Sequence, residues 1–297
     1  MGMKIGSDAV LKVRDLGFTY PGSPSSSEPS PAISGLTFDV EEGEIFGLLG
    51  PSGAGKSTTQ GVLIGLLKGW EGSVEALGKP LPSWSADYYE HVGVSFEMPN
   101  HFLKLTAREN LDYFRSLYAG ETSSAEAVLE QVGLEDSLDV RVAELSKGMK
   151  NRLTFARSML HHPRLWFLDE PTAGLDPVNA RRIRGIIERR RDAGATVVLT
   201  THNMQLADEL CDRVGFIVDG HLRLVEAPDV LKHRYGRRAV RVTIEGDAGV
   251  VEHEFELSGL ADNPAFLEAL RQPVRSLHSE ETTLEDVFIR VTGTRLT

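Results

Sequence analysis

A chain of 297 residues, 41% hydrophobic, is long enough to bury a full core, with room for one large and one small domain. Its single cysteine, Cys211, excludes an internal disulfide framework and a cysteine-rich metal site and fits a reducing compartment. The formal net charge of -11 argues against nucleic acid as the main partner and gives no general attraction to anionic lipid. The start MGMKIGSDAVLKV lacks the basic opening and long apolar core of a signal peptide, and no run approaches the roughly 18 to 20 apolar residues that span a bilayer, so a soluble chain is expected.

In chain order, residues 9–20 alternate as an edge strand, residues 21–31 are a Pro- and Ser-rich flexible loop, and AISGLTFDV forms a second strand closed by the turn EEGE. The apolar run EIFGLLG then reads as a buried strand, and GPSGAGKST, residues 50–58, follows it directly. This stretch fits G-x-x-x-x-G-K-[ST], with Gly50, Gly55, Lys56 and Ser57 at the fixed positions. A phosphate chain needs converging N–H donors and no bulky side chains. Gly50, Gly53 and Gly55 let the backbone curl into such a nest, with Pro51, Ser52, Ala54 and Thr58 completing it. Lys56 reaches the β- and γ-phosphates of a bound nucleotide, and the Ser57 hydroxyl ligates Mg²⁺. The helix opened by the loop is expected to run to about Lys68.

WEGSVEALGKPLP reads as a strand–turn unit, and a short apolar strand within residues 91–102 breaks at Pro99. A mainly helical insert follows, about residues 99–160, with Thr106 placed before an amphipathic run and a second helix after Gly120. RLWFLDEPTAGLDP then carries an apolar strand ending on Asp169 and Glu170. A strand that ends on carboxylates needs a partner for the charge. In a P-loop protein that partner is Mg²⁺, held by Ser57 and Asp169, with Glu170 placed to take a proton from a water attacking the γ-phosphate. RRIRGIIERRR, Arg181 to Arg191, reads as a solvated helix face with Glu188 among the arginines. ATVVLTTHNM is a further buried strand, and His202 at its end is read as a γ-phosphate sensor on the same rim. The succession is that of an α/β fold with a parallel sheet. A hairpin turning at Asp219-Gly220 and a helix stopping at Gly236 close this domain. The remainder, residues 237–297, reads as two strands, a helix, a strand and a final helix, an α+β extension small for an independent core.

LSKGMKNRLTFARSML, residues 145–160, sits at a helix start shortly before the carboxylate strand and resembles the Leu-Ser-Gly-Gly-Gln signature of ABC transporter ATP-binding subunits, with Ser146 and Gly148 kept. The resemblance covers roughly residues 9–236. It implies an ABC-type nucleotide-binding domain with antiparallel β and helical subdomains over residues 1–236, and an ATPase using ATP and Mg²⁺. It further implies that Tyr20 stacks on adenine, Glu170 is the base, His202 the switch histidine, and Asp176 a contact to the opposite subunit. Ser146, Lys147 and Gly148 would grip the γ-phosphate bound to that subunit. Three positions depart from the family pattern: Lys147 and Met149 in the signature, and Glu97, which stands where Gln usually contacts Mg²⁺ and is expected to ligate the metal in its place. SKGMKNRL and TLEDVFIRVTG are similar to a narrower group of single-domain drug- and sodium-export ATPases. The partners so implied are one or more integral membrane permease subunits and a second nucleotide-binding subunit, expected to be another copy of this chain, with the chain at the cytoplasmic face of the membrane. The alternatives are the ATP-binding subunit of an importer and a soluble ABC ATPase acting on ribosomes or DNA.

Overall fold

The strand of residues 45–49, β3 in chain order among the described residues, is the one around which the first part of the chain is arranged. The computed structural model describes residues 9–21, 31–236, 239–246, 249–280 and 282–294; the expected N-terminal features and most of the Pro- and Ser-rich loop lie outside them. The chain divides into two compact units, one reaching Ala227 and one beginning at Pro228.

In the first unit, β1 (Leu11–Phe18), β2 (Ile33–Val40), β4 (Glu71–Ala76) and β5 (Lys79–Pro80) form an antiparallel sheet in the order β2-β1-β4-β5. β1 is therefore not the edge strand its alternation suggests, since β2 and β4 occupy its two sides. Asp15, at φ 49°, sits where both registers slip, and this bulge interrupts the period-2 pattern that an inner strand would otherwise show.

A second, six-stranded sheet has the order β10-β9-β3-β8-β7-β6. It is built from β3 (Ile45–Leu49), β6 (Val92–Ser95), β7 (Leu165–Asp169), β8 (Thr196–Thr201), β9 (Arg213–Val218) and β10 (His221–Glu226). All neighbours are parallel except β9 and β10, which turn on Asp219-Gly220 with φ 49° and 73°, as a tight hairpin requires. β3, β7 and β8 are buried along nearly their whole length because they lie inside the sheet with helices against it. Phe38 of β2 stacks on Phe46 of β3 at 5.3 Å, within a core shared by the two sheets. Cys211 is buried behind β3, its Sγ 2.8 Å from where a Cβ on Gly47 would stand.

α1 (Lys56–Leu63) follows β3 directly. It stops before the expected end at Lys68. Gly65 adopts φ 76°, and the amides of Leu66 and Leu67 both turn back to the Gly61 carbonyl at 3.0 Å, a left-handed helix stop. The helical insert comprises α2 (Ala107–Arg115), opened by a Thr106/Glu109 capping box, α3 (Ala125–Gln131), capped by Ser124, and α4 (Lys147–Ser158), capped by Ser146. α5 (Pro177–Asp192) buries Ile183, Ile186 and Ile187, while Arg184 pairs with Glu209 and Arg191 with Asp192 and Asp212. The solvated face read from the sequence is met only in part, because Arg190 turns inward to His162 Nδ1 at 2.7 Å and the Met159 carbonyl. α6 (Met204–Leu210) leads to β9.

The second unit contains α7 (Pro228–Tyr235), β11 (Ala239–Gly246), β12 (Gly249–Glu256), α8 (Pro264–Ala269), β13 (Val274–Glu280) and α9 (Leu284–Thr292). Its antiparallel sheet, β12-β11-β13, buries Val240, Val242 and Ile244 against Phe266 and Ala269. α7 groups with this unit rather than with the nucleotide domain expected to run to residue 236. It packs on α9, and Arg290 of α9 donates to the Tyr235 carbonyl at 2.7 Å. Among the described residues no helix is long and apolar enough to cross a membrane.

Candidate functional site

The ends of β3, β7 and β8 point the same way because the three strands are parallel, so the segments that leave them share one rim of the sheet. From β3 comes the loop Gly50–Ser57. A Cβ on Gly50 would lie 2.1 Å from the Ile217 carbonyl, and one on Gly55 2.6 Å from Ile33, so neither position admits a side chain. Gly53 and Gly55 hold φ of 80° and 106°, which curl the loop back toward α1. α1 begins at Lys56 with no side-chain cap, so its first amides remain directed at the loop's interior.

Lys56 is buried and its Nζ donates to the Gly50 and Pro51 carbonyls at 2.7 and 3.0 Å. Burial lowers its pKa, against the opposing pull of Glu170, Asp169 and Glu97. Tyr20 is exposed, edge-on to Phe18 at 4.9 Å, with its hydroxyl 3.2 Å from the Thr58 hydroxyl. It thus stands beside the loop it was expected to serve.

β8 holds the two carboxylates of the β7 end. Asp169 and Thr200 are register partners, and the Thr200 hydroxyl lies 2.5 Å from Asp169 Oδ1. Burial, together with the charges of Glu170 and Glu97, raises the Asp169 pKa, while the Thr200 hydrogen bond opposes the rise. Glu170 sits at φ 46°, an uncommon setting for a residue with a side chain, and its amide donates to the Thr200 carbonyl at 2.9 Å. Its Oε2 accepts from the Thr201 hydroxyl at 2.8 Å, and its Oε1 accepts from the His202 amide at 2.8 Å. His202 Nδ1 lies 2.6 Å from the same oxygen, with the ring mostly exposed.

One cluster therefore holds Tyr20, Gly50–Thr58, Glu97, Asp169, Glu170 and His202. Ser146, Lys147 and Gly148 form a second, at the start of α4. The Ser146 hydroxyl accepts from the Met149 amide at 3.2 Å, Lys147 is exposed, and a Cβ on Gly148 would lie 3.7 Å from the Gly174 carbonyl. Asn151 on the same helix donates to the Ala173 carbonyl at 3.0 Å, which ties α4 to the turn that carries Asp176. Asp176 is the N-cap of α5: it accepts from the Val178 and Asn179 amides at 3.0 Å, and these bonds, with that of the Asn179 side chain, hold its pKa down.

Gln60, Thr200 and Thr201 were missed by reading the sequence. The available signal was polarity at inward positions: TVVLTT is buried throughout, and Gln60 is buried in the first turns of α1.

Mg²⁺ takes few protein ligands and keeps waters and phosphate oxygens. A hydroxyl from Ser57 and a carboxylate from Asp169 are hard oxygen donors of that kind. The mutual repulsion of Asp169, Glu170 and Glu97 around Lys56 further suits a divalent cation.

The family model for the ABC transporter matches residues 33–173, and one for the fluoroquinolone efflux ABC transporter C-terminal domain matches residues 238–281. A fluoroquinolones export ATP-binding protein of Mycobacterium tuberculosis (strain CDC 1551 / Oshkosh) is 52% identical over 296 residues, covering 99% of this chain and 96% of the relative. This chain belongs to the ABC transporter ATP-binding family. The Nod factor export ATP-binding protein I of Rhizobium meliloti (strain 1021) is 39% identical over 290 residues, covering 90% of this chain and 85% of the relative. Among solved structures, an ATP-binding subunit of an ABC transporter superposes with TM-score 0.68 at 29% identity, over 76% of this chain and 93% of that one. A dimeric ATP-binding cassette in a post-hydrolysis state, bound to ADP and Pi, superposes with TM-score 0.66 at 26% identity, over 73% of this chain and 98% of that one. The chain is accordingly an ABC-type ATPase, and ATP is its substrate.

Proposed function

We propose that this ABC ATPase is the motor of an export transporter, bound at the cytoplasmic face of the membrane to a separate integral permease. Two copies close head to tail over two ATP molecules. Each site draws Gly50–Thr58, Asp169, Glu170 and His202 from one copy and Ser146–Gly148 from the other, with Asp176 at the seam. The observation that carries this reading is the arrangement at the β7 end, where Glu170 is held by Thr201 and His202 in the same cluster as the P-loop lysine.

Tyr20 stacks on the adenine. Lys56 leaves the Gly50 and Pro51 carbonyls for the β- and γ-phosphates, and the open amides of α1 receive the remaining oxygens. Ser57 and Asp169, with Glu97 nearby, would hold Mg²⁺, which would neutralise charge on the phosphate oxygens. Glu170 accepts the proton of the attacking water, and His202 moves between Glu170 and the γ-phosphate. Because closure needs ATP at both interfaces, the ligand contacts differ between open and closed states, as a switch requires. Residues 98–118 of the helical insert carry the motion to the permease.

The cargo class follows the Mycobacterium tuberculosis relative: fluoroquinolone-type drugs, handled by the permease. Pull-down of Glu170→Gln from native membranes in ATP–Mg²⁺ tests the motor reading. A stoichiometric polytopic membrane protein supports it, and ribosomal or DNA-bound partners alone would sink it. Drug accumulation in cells lacking the chain tests the cargo.

A further inference from the structure

Thr200 and Gln60 are polar side chains in places built for apolar ones. Thr200 lies fully buried in β8 beside Val197, Val198 and Leu199, and Gln60 is 3% exposed on α1. A valine would fill the Thr200 position with nearly the same shape, and burying polar groups costs free energy unless they are hydrogen-bonded. Their partners are therefore informative. The Thr200 hydroxyl lies 2.5 Å from Asp169 Oδ1, 3.1 Å from the Gln60 amide oxygen and 3.4 Å from the Leu168 carbonyl.

A hydroxyl carries one proton and two lone pairs. Three acceptors cannot share that proton equally, and the carboxylate, being charged and nearest, takes it. The Gln60 amide then meets the lone pairs of Thr200, which call for an N–H. A half-turn about the last side-chain bond exchanges the amide oxygen and nitrogen within the same volume and presents Nε2 to Thr200. The result is a directed chain: Gln60 Nε2–H to Thr200 Oγ1, and Thr200 Oγ1–H to Asp169 Oδ1. Each bond polarises the next. The chain also joins three elements. α1 supplies Gln60 about one turn beyond Ser57, β8 supplies Thr200, and β7 supplies Asp169 as its register partner.

We propose that Gln60 and Thr200 are positioning residues that hold Asp169 for metal binding, fixing its second oxygen against the helix that carries Ser57. This rests on reading Asp169 as the Mg²⁺ ligand. Mg²⁺ demands nearly ideal octahedral geometry at short distances, so a carboxylate free to rotate would bind it poorly. Outer-shell partners of ligating carboxylates commonly affect metal affinity by about 10- to 100-fold.

The test uses the full-length protein with a non-hydrolysable ATP analogue, and Mn²⁺ as the metal, followed by electron paramagnetic resonance. Analogue affinity is measured separately in chelator. Thr200→Val is expected to raise the Mn²⁺ dissociation constant by about 10-fold or more, to leave the metal-free analogue affinity unchanged, and to be rescued by Thr200→Ser. Gln60→Leu, of similar volume, is expected to raise the constant less, and it carries the test alone if Thr200→Val does not fold. Folded Thr200→Val, or in its place Gln60→Leu, with wild-type Mn²⁺ affinity overturns the relay. Asp169→Asn is the control for the underlying reading. If it too leaves Mn²⁺ affinity unchanged, the metal assignment of Asp169 fails. If only the relay variants are silent, the assignment stands and the relay falls.

Discussion

Arg157 of α4 clasps Asn100, donating Nη2 to its Oδ1 at 2.5 Å and Nη1 to its carbonyl at 3.1 Å. The same guanidinium lies 4.5 Å from the centre of the Phe114 ring on α2. One buried side chain thus links the signature helix, the first helix of the insert and the segment that carries Glu97. Arg157→Met should cost about 1–3 kcal/mol by leaving the Asn100 groups unpaired, read as a lower midpoint in thermal unfolding. Arg157→Lys should recover little, because an ammonium cannot reproduce a planar fork that also stacks on an aromatic ring. A lysine variant as stable as the wild type would refute the clasp.

Glu170→Gln should lower kcat for ATP hydrolysis by about 10²- to 10⁴-fold, the usual scale for a lost general base, while ATP binding persists. Glutamine keeps the acceptor oxygen for Thr201 and the fold of the strand end. Phosphate release and equilibrium nucleotide binding, measured together, check this. Rapid turnover by the variant would remove Glu170 from the base role.

Two loop glycines should fail for different reasons. A Cβ at position 53 meets nothing within 4 Å, but the φ of 80° is left-handed. Gly53→Ala should therefore cost about 1–2 kcal/mol from backbone strain alone. A Cβ at position 50 would collide with the Ile217 carbonyl at 2.1 Å, with no backbone strain to relieve. Gly50→Ala should reach the upper end of the roughly 1–3 kcal/mol seen for overpacking, or exceed it. Denaturant unfolding of both variants should rank them in that order.

Burial lowers the pKa of His101 and of His161 from 6.5 to about 4. Between those values the unfolded chain binds protons that the folded chain does not, so stability is full above pH 6.5 and falls as the pH drops toward 4. Each histidine contributes on the order of 1 kcal/mol per pH unit inside that window. Replacing His161 with Gln should flatten the slope of unfolding free energy between pH 4 and 6.5 relative to wild type. An unchanged slope would show that His161 charges freely in the folded state.

Much of the P-loop half was legible because its chemistry imposes local patterns. Gly50–Thr58 and the run ending in Asp169 and Glu170 carry their context in a few adjacent residues. The order of strands and helices in the tail, with the turns at Asp219-Gly220 and Gly236, was also written in periodicity and breakers. What escaped was set by distant partners. β1 looks like an edge because the bulge at Asp15 breaks its alternation, and only the pairing with β4 makes it internal. α1 ends at Leu63 although apolar residues continue, because Gly65 turns left-handed. Thr200 and Gln60 meet across 140 positions of sequence, and neither carries a motif. α7 reads as the end of one domain, but its contacts lie with α9, far along the chain.

The buried thiol behind β3 makes the native protein a chemical blank for maleimides. Cys211 is the sole cysteine, it is buried, and its pKa is raised by that burial. A cysteine placed at the exposed Ser52 or at the exposed Ser146 would then be the one reactive thiol in the folded chain. A fluorophore at either point would report on a second copy arriving at that surface, with no need to strip the background first.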